Sequence, residues 1–264
     1  IALFSNGQIQ EALDSVEALI KDYPDEALLH NISGACYAGL GQLDAAVKHY
    51  ERALAMKPDY AEAHNNLGVT LQGLDQLDAA VKSYERALAI KPDYTEAHNN
   101  LGNAFKELGQ LDAAVKRYEK ALAIKPDFAD AHYNLGVTLQ GLGQLDAAVE
   151  SYVAALDIKP DYAEAFNNLG IVLKELGQLD TAVKSYEKVL AIKPDFAEAH
   201  YNLGVTLQEL GQLDAAIKCY EKAIAIKPDY AEAHYNLGGM LQELGQLDAS
   251  VKSYEKVLAI KPDF

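Results

Sequence analysis

The sequence predicts an all-α solenoid in which antiparallel helix pairs follow one another along the chain. Two observations support this fold class. The tripeptide Lys-Pro-Asp, followed by Tyr or Phe, recurs with its proline every 34 residues, at positions 58, 92, 126, 160, 194, 228 and 262. Between these prolines, apolar residues are spaced three or four apart, which is typical of helices with one buried face. A repeat of this kind indicates units that stack on their neighbours.

The repeat divides the 264 residues into one partial and seven complete repeats. Pro24 marks a weaker copy at the same spacing, so residues 1–26 are interpreted as a partial, degenerate N-terminal repeat. The complete repeats span residues 27–60, 61–94, 95–128, 129–162, 163–196, 197–230 and 231–264. Because the chain opens in mid-pattern, we interpret it as a piece of a longer protein.

The first helix of each repeat is illustrated by residues 61–74. Ala63, Leu67 and Leu71 form its apolar face, and Asp59 and Glu62 have the spacing of a capping box at its start. In most repeats a glycine follows this helix, as a left-handed C-cap requires. Asp75 takes that position here, and we expect a modest cost in stability.

The second helix carries Ala80, Tyr84 and Ala87 on its buried side, and Pro92 ends it because proline lacks the next helical N–H donor. The aromatic at the twenty-fourth place of each repeat has core spacing: Tyr50, Tyr84, Tyr118, Tyr152, Tyr186, Tyr220 and Tyr254. An aspartate such as Asp78 recurs in the first turn, where a negative charge favours the helix dipole.

These residues resemble the tetratricopeptide repeat family. Its 34-residue pattern of Leu-Gly, Ala, an aromatic, Ala and Pro is matched by Leu67, Gly68, Ala80, Tyr84, Ala87 and Pro92. The resemblance implies a right-handed superhelix in which the first helices line a concave groove and the second helices form the convex side. It also implies a protein-binding role.

Composition excludes several functions. With 39 acidic and 23 basic residues the formal net charge is −16, which argues against binding nucleic acid through its phosphates or docking on an anionic membrane. No apolar run approaches the roughly 20 residues that a bilayer span needs. Cys36 and Cys219 indicate neither a disulfide framework nor a thiolate metal site, and a cytoplasmic location is expected.

No residue pattern indicates catalysis, so the chain is predicted not to be an enzyme and to need no cofactor or metal. Histidine occupies the fourth place of six repeats (His30, His64, His98, His132, His200 and His234), and Phe166 occupies it in the seventh. Because a ring without nitrogen substitutes there, we interpret these histidines as packing residues rather than metal ligands. His49, on a second helix, is expected to be exposed.

The candidate peptide-binding residues lie on the first helices. Asparagine fills the sixth place in six repeats: Asn66, Asn100, Asn134, Asn168, Asn202 and Asn236. Asparagine is unfavourable inside helices. These amides therefore either tie repeats together or bind the backbone of an extended peptide, a ladder similar to that of the repeat domain of O-linked N-acetylglucosamine transferase. Further candidates are Tyr133, Tyr201 and Tyr235 at the fifth place and Val137 and Val205 at the ninth; their alternative role is packing against adjacent helices.

Charge on the groove predicts the kind of partner. The second and thirteenth places are mostly acidic, which favours a neutral to basic, extended protein segment and disfavours an acidic one. The leading hypothesis is a non-catalytic protein–protein interaction scaffold. One alternative is the substrate-recognition arm of an enzyme, with a glycosyltransferase, sulfotransferase or oxygenase domain beyond Phe264. The other is an array that self-associates end to end.

Overall fold

The computed structural model describes residues 8–262, and within that range the chain is built from fifteen helices without a strand. Residues 1–7 of the predicted partial repeat and residues 263–264 of the last one lie outside the described residues. The helices are α1 (Ile9–Asp22), α2 (Ala27–Gly39), α3 (Leu43–Met56), α4 (Ala61–Gly73), α5 (Leu77–Ile90), α6 (Thr95–Glu107), α7 (Leu111–Ile124), α8 (Ala129–Gly141), α9 (Leu145–Ile158), α10 (Ala163–Glu175), α11 (Leu179–Ile192), α12 (Ala197–Glu209), α13 (Leu213–Ile226), α14 (Ala231–Glu243) and α15 (Leu247–Ile260). The predicted all-α repeat fold is confirmed.

The chain forms two compact halves, Ile1–Thr138 and Leu139–Phe264, called here the N-terminal and C-terminal halves. In the N-terminal half, the pairs α2–α3, α4–α5 and α6–α7 pack tightly, and α3 and α5 then pack on the next pair. The C-terminal half repeats this order with α10–α11, α12–α13 and α14–α15. First helices also contact each other directly, α2 with α4, α4 with α6, and α10 with α12.

The tyrosine at the twenty-fourth place lies in the core, as predicted. Tyr84, Tyr118 and Tyr186 are fully buried, whereas Tyr254 on the last helix is half-buried. In six repeats the ring packs against the glycine at the eighth place of the same repeat. A Cβ atom added to Gly102 would lie 2.6 Å from the Tyr118 ring, so the two helices can approach this closely only because that side chain is absent.

Residues in the left-handed region end most of the first helices. Gly41, Gly109, Gly143, Gly177, Gly211 and Gly245 have φ between 72° and 74°, and Asp75 has φ of 60°. After α4, the backbone N–H of Gln76 donates to the Leu71 carbonyl at 2.9 Å and that of Asp75 to Gln72 at 3.0 Å. This is the Schellman arrangement, which satisfies the last helical carbonyls, and it confirms the predicted glycine caps.

The predicted capping box at the start of α4 is wrong. The helix begins at Ala61, so its N-cap residue is Tyr60, which makes no side-chain capping bond. Asp59 therefore lies one residue too early to reach the free N–H groups. Glu62 and, on α5, Asp78 do lie in the first turn, where their charge interacts favourably with the helix dipole. Within residues 8–262, no helix combines the length and apolar character needed to cross a membrane.

Candidate functional site

The candidate site is the side of the first helices that carries the second, fifth, sixth, ninth, twelfth and thirteenth places of each repeat. We call it the groove face. Its side chains come from consecutive first helices, which contact one another within each half. A regular set of hydrogen bonds joins these helices.

The sixth-place asparagines bridge neighbouring repeats. Five of the six donate from Nδ2 to the fifth-place side chain of the preceding repeat: Asn66 to Asn31 Oδ1 at 3.2 Å, Asn100 to Asn65 Oδ1 at 3.1 Å, Asn134 to Asn99 Oδ1 at 3.2 Å, Asn202 to Asn167 Oδ1 at 3.3 Å, and Asn236 to the Tyr201 hydroxyl at 3.3 Å. We call each bond a rung. The structure therefore shows the bridging role that the sequence left as one of two interpretations.

The rungs leave hydrogen-bonding capacity on the groove face. Every sixth-place asparagine is half-buried, whereas the fifth-place Asn31, Asn65, Asn99 and Asn167 are buried. An amide has two N–H donors and an oxygen acceptor, and a rung uses one donor. In the five rungs, the oxygen of the sixth-place amide accepts no hydrogen bond from the residues that the structure describes. It can still accept one from a ligand.

The fifth-place tyrosines are partly packed and partly exposed. Tyr133 and Tyr201 are half-buried, and Tyr235 is 48% exposed. The Tyr201 ring lies 5.0 Å from that of Tyr230 and 6.0 Å from that of Tyr220, centroid to centroid. Burial, with a smaller effect of the Glu232 charge, raises the pKa of Tyr201, so its hydroxyl stays protonated at neutral pH.

The ninth place supplies apolar surface between these polar groups. Val137 and Val205 are half-buried, as is Ile171, while Val69 is 49% exposed. Part of each side chain packs against its neighbours, and part is accessible to solvent.

A second row of bonds joins the twelfth place to the thirteenth place of the next repeat. Gln72 Nε2 donates to Glu107 Oε1 at 2.7 Å, and Lys174 Nζ lies 3.7 Å from Glu209 Oε1. Lys174, the lysine on this row of the C-terminal half, therefore already has a carboxylate partner.

The hydroxyl groups of core tyrosines extend to the groove face, which the sequence did not predict. Tyr84 and Tyr220 donate to the twelfth-place Gln72 and Gln208 at 2.9 and 2.8 Å. Where Lys174 replaces that glutamine, the buried Tyr186 hydroxyl has no hydrogen-bond partner among the described residues. In the repeat where Lys106 occupies the twelfth place, the Tyr118 hydroxyl donates instead to the ninth-place Asn103 Oδ1 at 2.8 Å.

The fourth-place histidines pack between the helices and also bind the preceding loop. Nε2 of each ring lies 2.9–3.0 Å from the proline carbonyl six residues earlier, as in His98 with Pro92. His49 was predicted to be exposed and is instead half-buried, with its Nδ1 3.4 Å from Nδ1 of His30. Among the described residues, no group of three or more His, Cys, Asp or Glu side chains could hold a metal ion.

Comparison with protein families matches nearly the whole chain. The model described as TPR repeat matches residues 34–75, 74–109, 102–143, 141–177, 172–211 and 209–244. The model described as tetratricopeptide repeat matches residues 231–264. Comparison with curated proteins gives no match.

Solved structures with the same fold include YrrB, described as a TPR protein with an unusual peptide-binding site. It is 27% identical, with a TM-score of 0.62 over 71% of this chain and 96% of YrrB. MamA is 27% identical, with a TM-score of 0.59 over 63% of this chain and 97% of MamA. The anaphase-promoting complex structure Cut9–Hcn1 has a TM-score of 0.71 over 90% of this chain and 47% of that one; at 19% identity it shows the fold alone.

Proposed function

Because the chain belongs to the tetratricopeptide repeat family, whose scaffold fold implies protein–protein interaction, we propose that its groove face binds an extended segment of a partner protein. Proteins of this family are generally non-catalytic scaffolds, and the proposal assigns no chemical step to the chain. The similarity to YrrB, described as having a peptide-binding site, supports a peptide as the ligand.

The observation that carries the proposal is the set of rungs with unused amide atoms. An extended chain presents a backbone N–H or C=O about every 3.4 Å, and the half-exposed amides offer acceptor and donor groups to it. The proposed peptide-binding residues are those predicted from the sequence: Asn66, Asn100, Asn134, Asn168, Asn202, Asn236, Tyr133, Tyr201, Tyr235, Val137 and Val205. Valines between the amides suit the apolar side chains of such a segment.

The acidic groove face favours a segment that is neutral to basic. We also propose the division into a partial repeat, 1–26, and seven complete repeats, 27–264. The cytoplasmic location, the role as a recognition arm of an enzyme and the end-to-end self-association stay predictions from the sequence.

The test separates peptide contact from repeat bridging. Asn134→Ala and Asn99→Ala break the same rung, but only Asn134 is half-exposed, while Asn99 is 7% exposed. Peptides selected on an array of unstructured sequences are titrated against both variants by fluorescence anisotropy. We expect Asn134→Ala to weaken binding about three- to tenfold, as for one lost hydrogen bond, and Asn99→Ala to bind like the wild type.

Two outcomes would contradict the proposal. If no peptide on the array binds the wild-type chain, the groove face is not a peptide site. If both variants lose affinity equally, or neither does, the amides act only between repeats. Thermal unfolding of both variants shows whether their stabilities are matched.

A further inference from the structure

We propose that the groove face of α12 and α14 binds a lysine or arginine side chain of the partner segment, between tyrosine rings and carboxylates. The residues are Tyr201, Tyr235, Glu198 and Glu232, called here the tyrosine–carboxylate surface. The inference rests on the proposed function and deepens it, because it names the repeats involved and the kind of side chain that they recognise.

Acidic charge is concentrated on the groove face of the C-terminal half. Its three first helices carry six carboxylates at the second and thirteenth places against one lysine: Glu164, Glu175, Glu198, Glu209, Glu232 and Glu243 against Lys174. The N-terminal half carries four at these places against one: Glu62, Glu96, Glu107 and Asp130 against Lys106. Of the six, only Glu232 is as much as half-buried, so the others face solvent. Glu164, Glu209 and Glu232 are paired with Lys193, Lys174 and Lys261, so an incoming positive side chain is attracted by the remaining carboxylates and by exposed pairs that it can displace.

Accessible aromatic rings occur on the same helices. The fifth place is a buried asparagine on α2, α4, α6 and α10, and it is a tyrosine on the other three first helices: Tyr133 on α8, Tyr201 on α12 and Tyr235 on α14. Tyr235 is 48% exposed, and its centroid lies 5.8 Å from that of Tyr254. Asn236 Nδ2 donates a hydrogen bond to the Tyr201 hydroxyl, and the Tyr201 ring packs against that of Tyr230. The face of a tyrosine ring attracts an ammonium or guanidinium group within about 6 Å.

The chain's own lysines show that these groups accept cations. Lys227 Nζ lies 4.9 Å from the centroid of the Tyr230 ring, and Lys261 Nζ donates to Glu232 Oε1 at 2.5 Å. Both partners of the Lys261–Glu232 pair are about half-exposed, and exposed pairs of this kind are weak. The lysine or arginine of a ligand can therefore replace Lys261 at Glu232.

Glu198 and Glu232 also act on the rings electrostatically. Burial, with the charges of both carboxylates, raises the pKa of Tyr230 to about 12. The field of these carboxylates thus reaches the aromatic cluster, and a cation placed there gains from the rings and from the carboxylates together.

The experiment uses the full chain and three unstructured Gly/Ser peptides of equal length, carrying lysine, glutamine or glutamate at the same positions. Affinities are measured by fluorescence anisotropy at low and high salt. We expect the lysine peptide to bind about tenfold more tightly than the glutamine peptide, with the difference falling at high salt, and the glutamate peptide to bind least. Tyr235→Leu should weaken the lysine peptide about two- to fivefold and leave the glutamine peptide unchanged, while Tyr235→Phe should bind like the wild type.

A matched pair of variants tests the location. Glu198→Gln with Glu232→Gln removes two second-place carboxylates from the C-terminal half, and Glu62→Gln with Glu96→Gln removes two from the N-terminal half. We expect the first pair to lower the affinity for the lysine peptide about tenfold and the second pair to lower it less than twofold. Equal losses, or equal binding of the lysine and glutamine peptides by the wild type, overturn this inference alone. Failure of all three peptides to bind also overturns this inference, whereas the proposed function fails only if no peptide on the array binds.

Discussion

A tyrosine ring and the glycine opposite it determine how closely the two helices of a repeat approach. The contact recurs along the chain, from Gly34 with Tyr50 to Gly238 with Tyr254. The ring lies in the core while its hydroxyl reaches the groove face, as Tyr84 does through Gln72. One residue therefore links the stability of a repeat to the position of a side chain on the candidate binding surface.

We predict that Gly102→Ala destabilises the chain by about 1–3 kcal/mol, the usual range for an overpacked core. The added Cβ would lie 2.6 Å from the Tyr118 ring, and that ring is fully buried. Gly239→Ala is the matched control, because its Cβ would meet only the Tyr254 hydroxyl, at 3.6 Å. In chemical denaturation the control should be neutral, or more stable by up to about 1 kcal/mol from helix propensity. Equal effects of the two substitutions would contradict the packing argument.

Among the first helices, α4 is followed by a different kind of residue from the others. Six of them are followed by glycine in the left-handed region, and α4 is followed by Asp75 with φ of 60°. The hydrogen bonds of the cap are nonetheless formed, from Gln76 to Leu71 and from Asp75 to Gln72. The cost of the aspartate is therefore conformational rather than a loss of bonds.

Asp75→Gly should stabilise the chain by about 1 kcal/mol, since the left-handed conformation is unfavourable for residues with a Cβ. The reverse change, Gly109→Asp, is the control and should destabilise by a similar amount. Both residues lie in the N-terminal half, and no heavy atom lies within 4 Å of a Cβ built on Gly109. The urea concentration at the midpoint of unfolding reports the stability of each variant. A destabilised Asp75→Gly variant would show that the aspartate side chain contributes an interaction that outweighs its strain.

Helix type, pairing and C-terminal caps could be predicted from the sequence because they depend on residues close together in the chain. The prediction of a capping box at Asp59 was wrong because the helix begins one residue later than such a box requires. The role of Asn100 could not be decided, since its partner Asn65 lies on another helix. The bond from His98 to the Pro92 carbonyl was missed for a related reason, as it depends on the path of the loop. The groove-face positions themselves followed only from the resemblance to the family.

Two buried histidines, one in each half of the chain, are expected to make its stability depend on pH. Burial lowers the pKa of His98, with a smaller effect of Arg117 and Lys120, and it lowers that of His200 in the other half. Nδ1 of each ring is buried without a hydrogen-bond partner among the described residues. A proton added there would be charged and unsatisfied, so the folded chain binds it less readily than the unfolded chain does.

We therefore predict that the free energy of unfolding decreases as the pH falls below about 6.5, the usual histidine pKa. The loss should level off once the pH lies below the folded-state pKa values. Combining His98→Phe with His200→Phe should flatten this part of the curve, and Phe166 already occupies the same place in another repeat. Urea unfolding across this range provides the measurement. An unchanged slope in the double variant, or a wild type that becomes more stable on mild acidification, would contradict the assignment.

The spacing of the rungs has a consequence for the gene. Donor and acceptor lie 35 positions apart in every rung, while the repeat is 34 residues long. If recombination between similar coding segments deleted residues 61–94, Asn100 would meet Asn31, as Asn66 does now. A whole repeat can thus be lost or duplicated, and the two repeats that become neighbours still form a rung between side chains of the same kind. The length of the groove face can change in evolution without new compensating substitutions.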